Sequence, residues 1–162
     1  MEVESRQLVI LVQEMLAEFD HPIGLCVSKK NELYVCDSGN NRIQVFDLDL
    51  NFKRSFGRKG TGKGQFIGPQ DNDFDSYGCI YITEGRNNHI QVFTSSERHI
   101  RTIENQRHCP IKLNNPVSLL MHQNHIYVTN CYMGNVVVIG MSGEIITTFG
   151  DEHLSRPARY YC

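Results

Sequence analysis

Asp37-Ser-Gly-Asn-Asn-Arg-Ile-Gln-Val-Phe46 returns twice more along the chain, and this repetition decides the fold. The stretch Glu84-Gly-Arg-Asn-Asn-His-Ile-Gln-Val-Phe93 begins 47 residues after Asp37 and keeps the pairs Asn-Asn and Ile-Gln and the ending Val-Phe. A third copy, Asn130-Cys-Tyr-Met-Gly-Asn-Val-Val-Val-Ile139, keeps the apolar positions and loses most of the polar ones. Self-similarity at a fixed period of this size indicates a repeat architecture, in which each unit packs against its neighbours.

Each repeat unit contains four short apolar segments. In the first unit they occupy residues 24–28, 32–37, 42–47 and 52–57, and turn-forming residues separate them. Such segments predict antiparallel strands, and four strands in about 40–50 residues, repeated in tandem, predict propeller blades. The sequence therefore predicts an all-β fold, a partial β-propeller of three four-stranded blades plus the start of a fourth. Other apolar residues recur at equivalent positions of successive units: Leu33-Tyr-Val, Ile80-Tyr-Ile and Ile126-Tyr-Val; Phe56, Ile103 and Phe149; and the pairs Phe19/Pro22, Phe66/Pro69, Leu113/Pro116 and Leu154/Pro157.

The first unit resembles an NHL repeat. The resemblance rests on Pro22-Ile-Gly-Leu-Cys-Val, on the segment 33–46 that contains Asn40 and Asn41, and on Phe52-Lys-Arg-Ser-Phe-Gly. It implies blades at 20–66, 67–113 and 114–157, and the start of an incomplete blade at 158–162. Residues 1–19 precede the first blade, and residues 8–12 suit either the outer strand of a preceding blade or a short helix.

Propellers of this family usually have six blades, so the resemblance implies half a ring. Half a ring leaves two unpaired flanks and an open core. We therefore expect a part of a longer protein, two copies that close a ring, or an open arc that self-associates through its edges.

The composition of the chain excludes several classes of protein. The formal net charge is -2, from 16 Lys and Arg against 18 Asp and Glu, so no overall field favours nucleic acid or an anionic membrane. Six cysteines occur without a Cys-x-x-Cys pair, which favours packing thiols over a disulfide framework or a zinc module. The apolar run at residues 8–12 is too short for a signal peptide or a membrane span. We expect a cytoplasmic protein with no membrane segment.

Strand parity predicts which loops share one end of the propeller. The turn between the second and third strands of each blade lies at the same end as the linker between blades, and we call this end the top face. Loops held by rigid blades commonly carry binding residues. The candidate partner-binding residues on the top face are Asn40, Asn41, Arg42, Arg58, Lys59, Lys63, Arg86, Asn87, His89, Arg107 and Lys112.

Polar residues recur where each second strand ends. Asp37, Glu84 and Asn130 occupy this position, and short polar side chains there can accept backbone N–H bonds, so we interpret them as structural turn caps rather than catalytic acids. Of the seven histidines, His122 and His125 are closely spaced, but they flank a predicted turn with no carboxylate nearby in the sequence. We therefore predict no catalytic residue, no metal and no cofactor.

The resemblance implies a non-catalytic module that recognises a protein partner, such as the propeller of a tripartite-motif-like ubiquitin ligase whose RING lies outside this chain. An alternative is single-stranded RNA, since some propellers of the family bind RNA through basic loops on the top face. A second alternative is a zinc-dependent lyase, since NHL-like propellers also occur in a peptide-amidating lyase.

Overall fold

The structure is a computed structural model that describes residues 18–109 and 111–150. These residues form three four-stranded antiparallel sheets, each built from consecutive strands. The strands are β1 Pro22–Val27, β2 Glu32–Asp37, β3 Arg42–Asp47, β4 Phe52–Phe56, β5 Pro69–Phe74, β6 Ile80–Glu84, β7 His89–Phe93, β8 His99–Ile103, β9 Pro116–His122, β10 His125–Asn130, β11 Asn135–Gly140 and β12 Ile145–Phe149.

The three sheets confirm the predicted all-β fold of four-stranded blades. We number them in chain order: blade 1 is β1–β4, blade 2 is β5–β8 and blade 3 is β9–β12. The predicted start of a fourth blade at 158–162 and the predicted strand or helix at 8–12 lie outside the described residues. No helix among the described residues has the length and apolar character needed to cross a bilayer.

The blades stand side by side through their first strands, since β5 packs beside both β1 and β9. Successive residues of a strand point to opposite faces of the sheet, so each blade offers one apolar face to each neighbour. The core between blades 1 and 2 contains Tyr34, Cys36, Ile43, Val45, Phe66, Ile80, Ile82 and Phe93. The core between blades 2 and 3 contains Tyr81, Ile90, Val92, Ile103, Leu113, Leu119, Ile126, Val128, Val137 and Ile139.

Carboxylates take part in the contacts between the inner strands. Asp71 Oδ2 accepts hydrogen bonds from Ser118 Oγ at 2.7 Å and from the backbone N–H of Leu119 at 3.1 Å. Asp73 Oδ2 accepts the N–H of Met121 at 2.8 Å, so β5 satisfies donors on the edge of β9. Burial raises the pKa of the Asp71 carboxyl above its ordinary value, against the lowering effect of the bonds from Ser118 and Leu119.

Arginines on the outer strands reach across both joints. Arg54 of blade 1 lies 2.7 Å from Glu97 of blade 2, measured from Nε to Oε1, and it also pairs with Glu32 at 2.8 Å. Arg101 occupies the same position in blade 2 and donates to the backbone carbonyl of Ser142 in blade 3 at 2.7 Å. The joints between blades are thus apolar in the middle and polar at their outer end.

Candidate functional site

The top face is formed by the turns after β2, β6 and β10 and by the linkers that enter each blade. Its shape depends on a hydrogen-bonding pattern that recurs in all three blades. Asp37 Oδ1 accepts the backbone N–H of Asp20 at 2.7 Å, and its Oδ2 accepts from Arg42 Nε and from Gln44 Nε2, each at 2.8 Å. Asn40 Nδ2 donates to the same oxygen at 3.0 Å. One carboxylate therefore ties the entering linker to the second and third strands.

Glu84 repeats this arrangement in blade 2. Its Oε2 accepts the N–H of Ile67 at 2.9 Å and Asn87 Nδ2 at 2.8 Å. Its Oε1 lies 2.6 Å from His89 Nε2 and accepts Gln91 Nε2 at 2.7 Å. Like Asp37, Glu84 is fully buried, so its charge is met by protein donors rather than water.

Asn130 occupies the same position in blade 3, with a side-chain amide in place of the carboxylate. Its Oδ1 accepts the N–H of Asn114 at 2.5 Å, and its Nδ2 donates to the carbonyl of Lys112 at 2.8 Å and to Asn135 Oδ1 at 3.0 Å. In each blade the acceptor thus binds the N–H two residues before the first proline of that blade. These three residues fasten each linker onto its own blade.

The ionisation of Asp37 reflects this environment. Burial by itself would raise its pKa, but the N–H of Asp20 and the donors Arg42, Asn40 and Gln44 together hold the pKa of Asp37 below its ordinary value. The group is therefore a charged anchor at neutral pH. Since each of its bonds goes to the protein, Asp37 has the environment of a structural residue.

Asn41 and Asn88 connect each blade to the next one. Both have a positive φ, 56° and 54°, which asparagine tolerates better than most residues. The Oδ1 of Asn41 accepts the N–H of Gly68 at 3.1 Å, and the Oδ1 of Asn88 accepts the N–H of Asn115 at 2.8 Å. Gly68 and Asn115 precede the first prolines of blades 2 and 3. The position that follows this pattern in blade 3 is Gly134, which carries no side-chain acceptor.

The structure divides the candidate binding residues into two groups. The first group makes the internal contacts described above, and Arg42 also donates to the carbonyl of Glu18 at 2.8 Å. Their polar atoms are occupied by neighbouring parts of the chain, and only a part of each remains for a partner. This group consists of Asn40, Asn41, Arg42, Asn87 and His89.

The second group consists of cations that point into solvent. Their side chains are exposed and form no hydrogen bond or ion pair with residues 18–109 or 111–150. Lys112 differs, because it is half-buried and its Nζ donates to the carbonyl of Gln106. The exposed cations are Arg58, Lys59, Lys63, Arg86 and Arg107.

Two exposed side chains on the top face were missed in the sequence. Tyr132 and Met133 lie in the turn between β10 and β11, and both are largely exposed. The N–H of Tyr132 donates to the carbonyl of Asn114 at 3.3 Å, which places this turn beside the linker that carries Arg107 and Lys112. The one available signal was that the third copy has Cys-Tyr-Met where the first has Ser-Gly-Asn. An aromatic and a thioether at a turn position are poor turn formers and suit contact with a partner.

The described part of the chain has no cluster of side chains that could bind a metal ion. No three of its His, Cys, Asp or Glu side chains come together in a group that could hold a metal ion. His122 ends β9 and His125 begins β10, on opposite sides of a two-residue turn. The described cysteines Cys26, Cys36, Cys79, Cys109 and Cys131 are free thiols. Burial, followed by Asp73, raises the pKa of the Cys26 thiol to about 12, so it is not an activated nucleophile.

Residues 19–46 match the family model for the NHL repeat. Similar curated proteins include one from a fly and one from a nematode. The protein named brain tumor from Drosophila melanogaster is 28% identical over 144 residues, which are 86% of this chain and 13% of that protein. RING finger protein nhl-1 from Caenorhabditis elegans is 44% identical over 48 residues, which are 30% of this chain and 5% of that protein. The chain therefore spans only a small part of the relatives that it matches.

Solved structures show the same fold at low sequence identity. A virginiamycin B lyase from Staphylococcus aureus with quinupristin has a TM-score of 0.61 at 22% identity, over 79% of this chain and 40% of the lyase. A chain of a nidogen/laminin complex has a TM-score of 0.66 at 14% identity, over 82% of this chain and 48% of that one. These likenesses concern the fold alone.

Three consecutive blades carry the same hydrogen-bonded linker, and the first of them matches the family model across its inner three strands. The repeat seen in the sequence and the blade seen in the structure are therefore the same unit. The first blade matches the NHL repeat, and the chain is similar to proteins that carry NHL repeats.

Proposed function

We propose that this chain is a non-catalytic interaction module whose top face binds an acidic segment of a partner protein. The observation that carries the proposal is the group of exposed cations, Arg58, Lys59, Lys63, Arg86 and Arg107, which have no partner among the described residues. Cations held on loops by a rigid scaffold favour the encounter with a partner of opposite charge. Tyr132 supplies an exposed aromatic side chain beside them, and such residues are common anchors of interfaces.

The internal use of the other polar residues supports the same proposal. Asp37 and Glu84 are buried and saturated with donors, so neither carboxylate is free to act as a general base. Within the described ranges, no three metal-ligating side chains come together in a group that could hold a metal ion. Binding is the activity that this surface supports best.

A charge-reversal experiment tests the proposal. The probe is a fluorescein-labelled peptide of about 12 residues rich in Glu and Asp, measured by anisotropy at low and at physiological salt. We expect Arg58→Glu combined with Lys59→Glu to weaken binding at least about tenfold. The matched control, Lys30→Glu with Arg98→Glu, makes the same change of charge at the opposite end of the propeller and should leave the affinity nearly unchanged. Equal losses in both variants would show a general charge effect and would remove the proposal.

Single-stranded RNA is a second candidate, favoured by Tyr132 among the cations. An exposed aromatic beside basic side chains can stack a base while the cations meet phosphates. We expect oligouridine of the same charge as the peptide to lose affinity with Tyr132→Ala if RNA is the ligand. Binding of oligouridine that depends on salt and ignores Tyr132→Ala would remove this candidate.

The similarity to a RING finger protein supports a role in selecting substrates for a ubiquitin ligase, with the chain acting in the cytoplasm. In this role the propeller would hold the partner while a RING outside this chain recruits the ubiquitin-charged enzyme. A fusion of the chain to an isolated RING domain should ubiquitinate a protein that the top face captures, and it should lose that activity with the Arg58/Lys59 charge reversal. Ubiquitination that persists with the reversal would contradict substrate selection by the top face.

A further inference from the structure

The joint between blades 1 and 2 ends in a cavity at the bottom face, which is the end of the propeller opposite the top face. The cavity lies among the β1–β2 turn of blade 1 and the β5–β6 and β7–β8 turns of blade 2, and its volume is about 160 Å³. A cavity of about 150 Å³ is large enough to bind benzene. The space therefore fits one aromatic side chain, and we call it the bottom cavity.

Aromatic side chains line the bottom cavity. The rings of Tyr34 and Phe74 meet edge to face with their centroids 5.0 Å apart, and Tyr34 is 2% exposed, so this pair forms a buried floor. Tyr77 also lines the cavity but is 86% exposed, so its ring lies towards the mouth. Aromatic rings attract one another beyond the area that they bury. The floor and the side of the cavity thus favour an aromatic ring as ligand.

The charged side chains that line the bottom cavity are both cations. Lys29 and Lys30 are exposed and belong to the β1–β2 turn, at the mouth of the cavity. Lys29 Nζ donates to the carbonyl of Ser76 at 2.7 Å, which fixes the ammonium and leaves it two further N–H donors. The Lys30 ammonium makes no hydrogen bond or ion pair with residues of the described ranges. The mouth therefore suits an anion.

Three carboxylates of the surrounding turns and strands are engaged elsewhere. Arg54 holds Glu32 and Glu97 at the outer end of the joint, at 2.8 and 2.7 Å. Asp75 Oδ1 accepts two backbone N–H groups of its own turn, at 2.9 and 2.8 Å. None of the three pairs with Lys29, so its charge remains available to a ligand.

The joint between blades 2 and 3 has a cavity at the equivalent place, and the chemistry of its lining differs. Its volume is about 240 Å³. Ser76 stands there in place of Lys29, and Met121 stands in place of Phe74. The carboxylate of Asp75 lines this second cavity, and no lysine does. The combination of an aromatic floor with cations at the mouth is thus specific to the joint between blades 1 and 2 within the described part of the chain.

We propose that the bottom cavity binds the C-terminal residue of a partner polypeptide, and that this residue is phenylalanine. Because the aromatic floor is buried and the lysines lie at the mouth, the ring of the ligand enters first and its anion stays outside. A C-terminal phenylalanine carries its α-carboxylate close to the ring, so one residue meets both sets of groups, and its carboxylate accepts charge-assisted hydrogen bonds from the lysines. A phenylalanine inside a chain has no such carboxylate, and a glutamate has no ring.

A second hollow beside the bottom cavity favours a polypeptide over a free aromatic acid. Tyr77 lines both spaces, and the second one, of about 470 Å³, is also lined by Met141 and Ile146. Ile146 is 49% exposed, so an apolar side chain that precedes the terminal phenylalanine can cover it. A free aromatic acid would fill the bottom cavity alone and would leave this hollow empty.

Isothermal titration calorimetry of the full chain tests the proposal. The probe is an uncharged, N-acetylated peptide of about six residues with one leucine and a terminal phenylalanine whose carboxylate is free. We expect the affinity to fall at least about tenfold when alanine replaces the phenylalanine, and at least about fivefold when the C-terminus is amidated. No binding at about 1 mM peptide, or equal affinity for the amidated form, would overturn the proposal. Free 3-phenylpropionate should bind at least about tenfold more weakly than the peptide, and equal affinity would refute a polypeptide as the ligand.

Two variants with matched controls locate the site. Lys29→Glu should weaken peptide binding at least about tenfold, whereas Arg98→Glu makes the same charge change on the bottom face outside the cavity lining and should not. Ser95→Met should block the ring, because it fills the cavity. Blade 3 already has Met141 at the equivalent turn position, so the melting temperature should change little. Ser96→Met, at the next exposed residue and outside the lining, is its control.

Either variant can overturn the proposal. Wild-type affinity in Ser95→Met would show that the ring binds elsewhere, and equal losses in Lys29→Glu and Arg98→Glu would show a general charge effect. These outcomes are independent of the top face, which lies at the other end of the strands. A peptide of Glu and Asp carries no ring for the bottom cavity, so Lys30→Glu remains a control for the top-face cations.

Discussion

Asn41 Oδ1 accepts a 3.1 Å hydrogen bond from the backbone N–H of Gly68, which is the residue before the first proline of blade 2. Asn88 and Asn115 form the same contact at 2.8 Å between blades 2 and 3. Residues 27 positions apart are thus joined at equivalent points of two repeats. This contact sets how each blade leads into the next, and it explains why asparagine stands at a turn position with positive φ.

Replacing Asn41 with glycine should destabilise the joint between blades 1 and 2. Glycine adopts the φ of 56° without strain, but it leaves the N–H of Gly68 without its acceptor. We expect a loss of about 1 kcal/mol in the free energy of unfolding, measured with urea. The control is Asn31→Gly, since Asn31 has a φ of 57° and its side chain makes no hydrogen bond within the described residues. Both variants share the entropic effect of glycine on the unfolded chain, so equal losses would contradict a role for the Asn41 contact.

Adding a single methyl group at Gly24 should disrupt the contact between the inner strands of blades 1 and 2. A Cβ at Gly24 would lie 2.4 Å from Asp71 Oδ1 and 2.5 Å from the Asp71 Cα and the Gln70 carbonyl oxygen. Two of these three atoms belong to the backbone of β5, which cannot move without shifting the blade. We expect Gly24→Ala to cost on the order of 2–3 kcal/mol in urea unfolding.

Gly62→Ala is the control for this effect of size. The nearest atom to a Cβ there is Gln65 Oε1 at 3.2 Å, at the end of a flexible side chain, so the cost should be small. A melting temperature for Gly24→Ala that equals that of Gly62→Ala would contradict the close approach of β1 to β5.

Acid should weaken the ion-pair network at the first joint. Hydrogen bonds from Arg54, then Lys53, outweigh burial and lower the pKa of Glu32 from 4.5 to about 2. Since the folded-state pKa is below the unfolded one, the unfolded chain binds more protons in this range, and stability falls as the pH drops from about 4.5 towards 2. The stabilisation is fully present above pH 4.5.

The variant Glu32→Gln isolates this contribution. It should be less stable than the wild type at pH 7, and the difference should shrink as the pH falls towards 2, because Gln carries no charge to lose. Asp37, whose pKa is also lowered, retains its share of the acid sensitivity in both proteins. Urea unfolding at a series of pH values measures the difference, and a difference that stays constant down to pH 2 would contradict the assigned role of Glu32.

The number of blades and the order of their strands could be predicted from the sequence. Alternation of apolar residues is a local signal, and a repeat of 47 residues makes one interpretation apply to each unit. Asp71 in blade 2 and Ser118 in blade 3 occupy the position of Gly24 in the first unit. Both strands remain intact, because the two side chains form a hydrogen bond at the joint between the blades. Tyr34 and Val35 are successive residues of one strand, so the sequence already predicts that their side chains point to opposite faces of the blade.

The roles of the top-face residues could be predicted only in part. The sequence placed Asn41 and Arg58 together as candidates for binding, yet one fastens the next blade and the other points into solvent. Nothing in their local sequence separates them, since both are polar residues in loops. Tyr132 was missed because the turn in the third unit lacks the polar residues that identify the equivalent turns of the first two units.

What the sequence by itself determined is the blade: strand lengths, turns and the alternating apolar faces, all of which follow from contacts within about 47 residues. What only the tertiary structure decided is how blades meet, namely that Asn41 reaches Gly68, that Arg54 reaches Glu97 and that Leu25 stays uncovered. The reason is physical: a strand pattern is set by the periodicity of the backbone, whereas the partner of a side chain at a joint depends on the path of the linker and the angle between two packed sheets.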